Sequence, residues 1–295
     1  MRSSNPVFSR RGFSRDNGYA GFNAQQPQAG GPAVGTNPYA EGAANPYATN
    51  PYATDPSAQL GAPPQTRGDV MTIDDVVSRT AMTLGTVVLT AVLSWVLLPV
   101  DSANIGTSYG IAIGAALVAF VLAMVQSFKR KASPALILAY AAFEGVFLGV
   151  ISSAVSTYIS PGVVVQAVLG TMAVFAGVLI AYKMRWIRVT RRFYGFVIAA
   201  AIGFMLLMAV NLLFAVFGGG DGLGFRSGGL GILFGVIGII LGACFLALDF
   251  KQVEDGVTYG APREESWLAA FGLTMTLVWI YLEMLRVLSI LQGDD

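Results

Sequence analysis

Beyond residue 70 the chain is a succession of long apolar runs separated by short polar joints, with no two-residue alternation. Seven runs reach the roughly 20 residues a helix needs to cross hydrocarbon: Thr80 to Leu98, Tyr109 to Ser127, Pro134 to Tyr158, Gly162 to Tyr182, Phe193 to Phe217, Leu230 to Leu248 and Trp267 to Leu291. Continuous runs of this length predict helices and exclude a transmembrane barrel. Pro134 falls where a first-turn proline is tolerated, and Pro99 and Pro161 lie between runs. The predicted fold is an all-α integral membrane protein, a bundle of seven transmembrane helices over residues 71–295.

The first 70 residues follow another pattern. They carry nine of the thirteen prolines and repeat Asn-Pro-Tyr-Ala three times, at Asn37, Asn45 and Asn50, with no apolar periodicity. Such a composition does not bury enough surface to offset ordering entropy, so a disordered cytoplasmic tail is predicted. Its tyrosines and proline kinks offer a docking segment as the alternative reading. Arg10-Arg11 imitates a twin-arginine export signal, but polar residues follow where an apolar stretch is required, so no cleaved signal is expected.

Composition agrees with the membrane assignment. Fifty-five per cent of residues are apolar and 12% charged, and the mean hydropathy is +0.63. The formal net charge of +1 gives no field for nucleic-acid binding. The chain has one cysteine, Cys244, and no histidine. That removes disulfides, histidine-based hydrolytic pairs and the usual zinc and haem ligation. No cofactor and no stable metal site are expected. An enzyme is not expected either, because intramembrane aspartyl chemistry needs two acids that meet within flanking motifs not found here.

Basic residues set the orientation. Lys129, Arg130 and Lys131 precede the third run, and Lys183, Arg185, Arg188, Arg191 and Arg192 precede the fifth. The joints at 101–108 and 160–161 have no Lys or Arg, and that at 218–229 has only Arg226. A multi-pass protein of the cytoplasmic membrane is predicted, with its N-terminus inside and its C-terminus outside. The joint Asp249 to Ser266 is net acidic, with Asp249, Glu254, Asp255, Glu264 and Glu265 against Lys251 and Arg263. It reads either as a solvated loop with helix-capping charges or as an acidic vestibule that concentrates cations.

Ionisable groups inside hydrocarbon are functional candidates, since each costs at least a few kcal/mol. Glu144, Glu283 and Arg286 lie within runs, and Asp249 lies at the predicted cytoplasmic end of the sixth. Glu144 is ten residues past Pro134, about 15 Å along a helix. Glu283 and Arg286 are three apart and can form an intrahelical ion pair. Gly231, Gly235, Gly238 and Gly242 share one face of the sixth helix, and Asp249 lies five turns beyond Gly231 on that face. The glycines admit a neighbouring backbone and turn the carboxylate into the bundle. Gly272, Thr276, Trp279 and Glu283 share a face of the seventh run, and the two faces are predicted to meet. Without histidine, any response to pH near neutrality falls to buried carboxylates, which are also ligands for a hard cation such as calcium.

The sixth run ending Ala-Leu-Asp249-Phe-Lys-Gln, the third reading Phe143-Glu144-Gly145 and on to Gly149, and the seventh reading Ile280-Tyr281-Leu282-Glu283 resemble the Bax inhibitor-1 (transmembrane BAX inhibitor motif) family, in its bacterial branch with a long tail. The resemblance spans about Met71 to Leu291. It implies six helices around a central seventh, and a calcium leak controlled by pH through paired acids on the sixth and seventh helices. Asp249 matches the first of these acids, and Glu283 matches the second if Tyr-Leu-acid is the anchor. Glu283 lies about 24 Å from the cytoplasmic start of its helix, so the two do not touch unless a helix is broken or shifted; Glu144 with Glu283 is the rival pairing.

Two functions follow. One is a pH-sensitive calcium leak or proton-coupled transporter with Asp249 as gate, Glu144 and Glu283 as ion or proton sites, and transient calcium at Asp249 and Glu283. The other is a membrane-embedded regulator that binds another membrane protein, such as a quality-control protease, through its tail and glycine faces.

Overall fold

A computed structural model describes residues 70–129, 131–218 and 222–293. The tail assignment for residues 1–69 lies outside these. Seven helices follow: α1 (Ile73–Leu97), α2 (Ile105–Phe128), α3 (Pro134–Tyr158), α4 (Pro161–Lys183), α5 (Arg191–Gly218), α6 (Gly228–Thr258) and α7 (Glu265–Gly293). All seven are long and apolar enough to cross a membrane, so the chain is a multi-pass membrane protein.

Local chemistry explains the boundaries. Thr72 caps α1 by accepting the Asp75 N–H at 3.1 Å, while the Asp75 carboxylate accepts the Thr72 N–H at 3.3 Å. α3 and α4 each begin on a proline behind a serine. Pro161 is therefore the first residue of its helix rather than part of the joint, at a position where the missing N–H costs nothing.

The largest departure from the predicted boundaries is at the end of α6. The helix does not stop with the apolar run at Leu248 but continues to Thr258, because Lys251 bridges Glu254 at 3.3 Å and Asp255 at 2.9 Å along its exposed face. It ends at Gly260, whose φ of +68° closes the cap with the Ala261 N–H donating to the Gly256 carbonyl. Loss of hydrophobicity marked the edge of the membrane-compatible run, not the end of the helix.

α7 is the central helix. Of its apolar window 67% is buried, against 17% to 44% for the other six. It packs against α1, α3, α4 and α6, while α2 lies outside on α3 and α5 on α6. The outer helices turn large apolar side chains outward, Leu89, Phe120, Leu169 and Leu206 among them, as lipid contact requires.

Two crossings depend on absent side chains. Gly145 and Gly149 of α3 lie directly on α1, against the Val87 and Ala91 carbonyls and the hydroxyls of Thr90 and Ser94. Those hydroxyls fold back on their own helix, Thr90 to the Thr86 carbonyl at 2.9 Å and Ser94 to the Ala91 carbonyl at 3.0 Å, which keeps the α1 surface low. The glycine face of α6 receives α7 in antiparallel order, Gly231 opposite Ile290, Gly235 opposite Val287, Gly238 opposite Glu283 and Gly242 opposite Ile280.

The start of the described chain is tied to the α6–α7 joint. The Met71 N–H donates to the Ala261 carbonyl at 2.8 Å, and Val70 forms a bridge with Pro262. Arg263 ion-pairs with Asp75 at 2.8 Å. The Arg79 guanidinium donates to the Arg263 carbonyl and the Ser266 hydroxyl and lies 5.3 Å from the Trp267 ring centroid.

Gly149→Ala is expected to lower stability by about 1–3 kcal/mol, because the new methyl meets backbone that cannot yield. Gly177→Ala and Gly203→Ala, whose added methyls meet nothing within 4 Å, are expected to be tolerated. Thermal unfolding of the three variants in detergent measures the difference.

Candidate functional site

The site lies along the seam between α6 and α7. Asp249 projects from the glycine face of α6, as the helical spacing predicts, and its residue is 1% exposed. α6 runs on beyond it to Thr258, so Asp249 is interior to the helix, not at its end. The Thr276 hydroxyl of α7 donates to its carboxylate at 2.7 Å. No Lys or Arg lies within ion-pair distance of Asp249 among the described residues.

Two turns further along α7, Glu283 fills the gap at Gly238. Its carboxyl carbon is 3.0 Å from where a Gly238 Cβ would be. Arg286 pairs with it across one helical turn, as three-residue spacing allows, and both side chains are nearly buried. Between the two acids the Trp279 indole N–H donates to the Gly238 carbonyl at 3.2 Å. The face Gly272, Thr276, Trp279 and Glu283 does meet the glycine face of α6.

Asp249 and Glu283 do not meet. Asp249 engages Thr276, seven residues before Glu283 and thus about 10 Å from its level. The rival pairing of Glu144 with Glu283 is not formed either, for a reason of register. α3 and α7 run side by side, tied by the edge-on rings of Tyr140 and Phe271 at 5.0 Å and by the Ser152 and Tyr281 hydroxyls at 2.7 Å. Four residues past Tyr140, Glu144 is level with Thr274, about 13 Å short of Glu283. Glu144 is half-buried and receives no hydrogen bond or ion pair from a described residue.

This register creates a layer that sequence spacing alone did not reveal. Thr83 of α1 and Thr274 of α7 share a buried hydrogen bond at 2.8 Å. Glu144 of α3 stands at the same depth, and Asp249 with Thr276 lies half a turn away. Three hydroxyls and two carboxylates from four helices thus cross the bundle roughly 15 Å along α7 from Glu265. The helical wheel finds Thr276, whereas Thr83 and Thr274 are visible only as polar interruptions of apolar runs.

The acidic joint is largely paired. Glu254 accepts from the Tyr182 hydroxyl and from Lys251, Asp255 accepts from Lys251, and Asp249 is buried in the bundle. Glu254 and Asp255 thus brace the last turns of α6 and tie them to α4. Among the described residues no cluster of three or more acids or cysteines is arranged to hold a metal.

A central apolar helix carrying an acid, packed among α1, α3, α4 and α6, defines a multi-pass membrane protein whose buried chemistry is carboxylate chemistry. The chain matches the family described as Bax inhibitor 1 like over residues 5–293, and it belongs to that family. The match starts well inside the tail and so reaches beyond the membrane portion whose motifs carry the resemblance. A comparison with curated proteins gave no match.

Thr276→Val is expected to destabilise the protein by about 1–3 kcal/mol by leaving a buried acid without its donor. Thr276→Ser keeps the hydroxyl and is expected to remain close to the parent. Thermal unfolding in detergent separates them.

Proposed function

We infer that the protein is a cation leak or proton-coupled transporter of the cytoplasmic membrane, with calcium as the expected ion and Asp249 as its gate. The observation that carries this reading is a carboxylate 1% exposed inside a membrane bundle, whose one hydrogen bond comes from a neutral hydroxyl. A charge there costs several kcal/mol unless a proton or a cation neutralises it. Its occupancy therefore couples to both. Glu144, at the same depth and also without a basic partner, is the second ion or proton station. Glu283, the third, is held by Arg286.

The family supports this direction, because the resemblance in the third, sixth and seventh helices implies a pH-controlled calcium leak. Family members of that pattern pair acids on the last two helices, whereas this chain separates them. The distribution of Lys and Arg among the joints supports a cytoplasmic N-terminus. Asp249 bonds a threonine hydroxyl and no second carboxyl, which supports a carrier rather than a hydrolase, since shared-proton catalysis needs two carboxyls in contact.

Asparagine is neutral and nearly isosteric with a protonated aspartate. Calcium flux into liposomes containing the full chain is expected to vary with pH between about 6 and 8, whereas Asp249→Asn holds flux at its acid-side value throughout. Absence of flux above empty liposomes at every pH overturns the reading. It would turn attention to the regulator hypothesis, tested by removing residues 1–69 and following association with another membrane protein.

A further inference from the structure

Charge along the α6–α7 seam is segregated by depth. The layer around Asp249 and Glu144 holds acids and hydroxyls with no basic side chain among the described residues paired to them. The next charged level holds Glu283 with Arg286. Within the seam the charges at that level are the Arg286 guanidinium and the Glu283 carboxylate that holds it.

Arg286 is held in place with unusual care for a group this costly to bury. Its Nη2 donates to Glu283 and lies 3.3 Å from where a Gly235 Cβ would be, while Glu283 takes the space at Gly238. Its Nε and Nη1 are buried and find no acceptor among the described residues. A structural ion pair would be expected to satisfy the guanidinium; this one leaves two donors unused and keeps the charge in the seam. The remaining boundary of the seam at this level is apolar, formed by Val287 at Gly235 and Ile290 at Gly231.

Building on the cation-leak reading, we propose that Arg286 is the electrostatic seal of the seam: Glu283 seats its guanidinium in the gap left by Gly235 and Gly238, where it repels cations that have reached the Asp249 layer. Glu283 is then the positioning residue for the seal. The two glycines serve the pair as well as the helix contact.

The test uses the full chain in liposomes and measures calcium and chloride flux separately. A unit charge about 5 Å from the path, at an effective dielectric constant of about 80 down to about 20, changes passage of a divalent cation by roughly tenfold up to more than about ten-thousandfold. Arg286→Gln is expected to raise calcium flux by at least that lower figure with chloride flux unchanged, and Arg286→Lys to stay near the parent. The double variant Glu283→Gln with Arg286→Gln places two amides that can bond each other in the same gap. It removes the attracting carboxylate together with the repelling guanidinium, so it is expected to pass more calcium than the parent but less than Arg286→Gln, and it serves if the single variant does not fold.

Calcium flux unchanged in both neutral variants overturns the seal while leaving the leak reading intact if Asp249→Asn still alters flux. A parallel rise in chloride also overturns it, since that is a hole rather than a charge barrier. No flux from the parent, Asp249→Asn or either neutral variant removes the leak reading and the seal together.

Discussion

The close approach of α6 to α7 along four glycines is the constraint on which the rest of the structure depends. Hydrocarbon gives no hydrophobic reason for two apolar helices to associate, so contact must come from packing and from the few polar bonds available. Glycines let α7 seat Ile290, Val287, Glu283 and Ile280 directly on the α6 backbone. Once that distance is set, Thr276 reaches Asp249, Trp279 reaches the Gly238 carbonyl, and the Glu283–Arg286 pair fits inside the bundle instead of facing lipid. A wider seam would leave each of these groups exposed to an environment with no partner to offer.

The same economy of side-chain volume recurs between α1 and α3, where Gly145 and Gly149 meet backbone. The central helix is therefore approached through small residues from α6, while α3, which flanks it, is itself drawn against α1. Bulky contacts such as Tyr140 on Phe271 then set depth rather than distance. Depth is what places Glu144 beside the Asp249 layer.

Much of this could be read from residues in order. Apolar runs located all seven helices, and the spacing of Gly231, Gly235, Gly238, Gly242 and Asp249 identified the inward face of α6, because a helix repeats regardless of its neighbours. The same arithmetic showed that Asp249 and Glu283 differ in depth. What could not be read was anything set by the register between helices: the level of Glu144 depends on how α3 slides along α7, and no spacing within α3 encodes it. The Thr83–Thr274 bond joins residues 191 positions apart for the same reason. The extension of α6 to Thr258 was hidden because its stability comes from Lys251 pairing with Glu254 and Asp255, while hydropathy registers only that the stretch is polar.

The attachment of Met71 to Ala261, and of Arg79 to the Arg263 carbonyl and Ser266, gives the long N-terminal segment a mechanical address. The chain entering α1 is held at the turn that feeds the central helix, away from the lipid-facing α2 and α5. The lever is short: Ser266 is ten residues, or about 15 Å, from Thr276 on one continuous helix. The anchor of Arg79 and the hydroxyl that bonds Asp249 thus sit on one continuous rod.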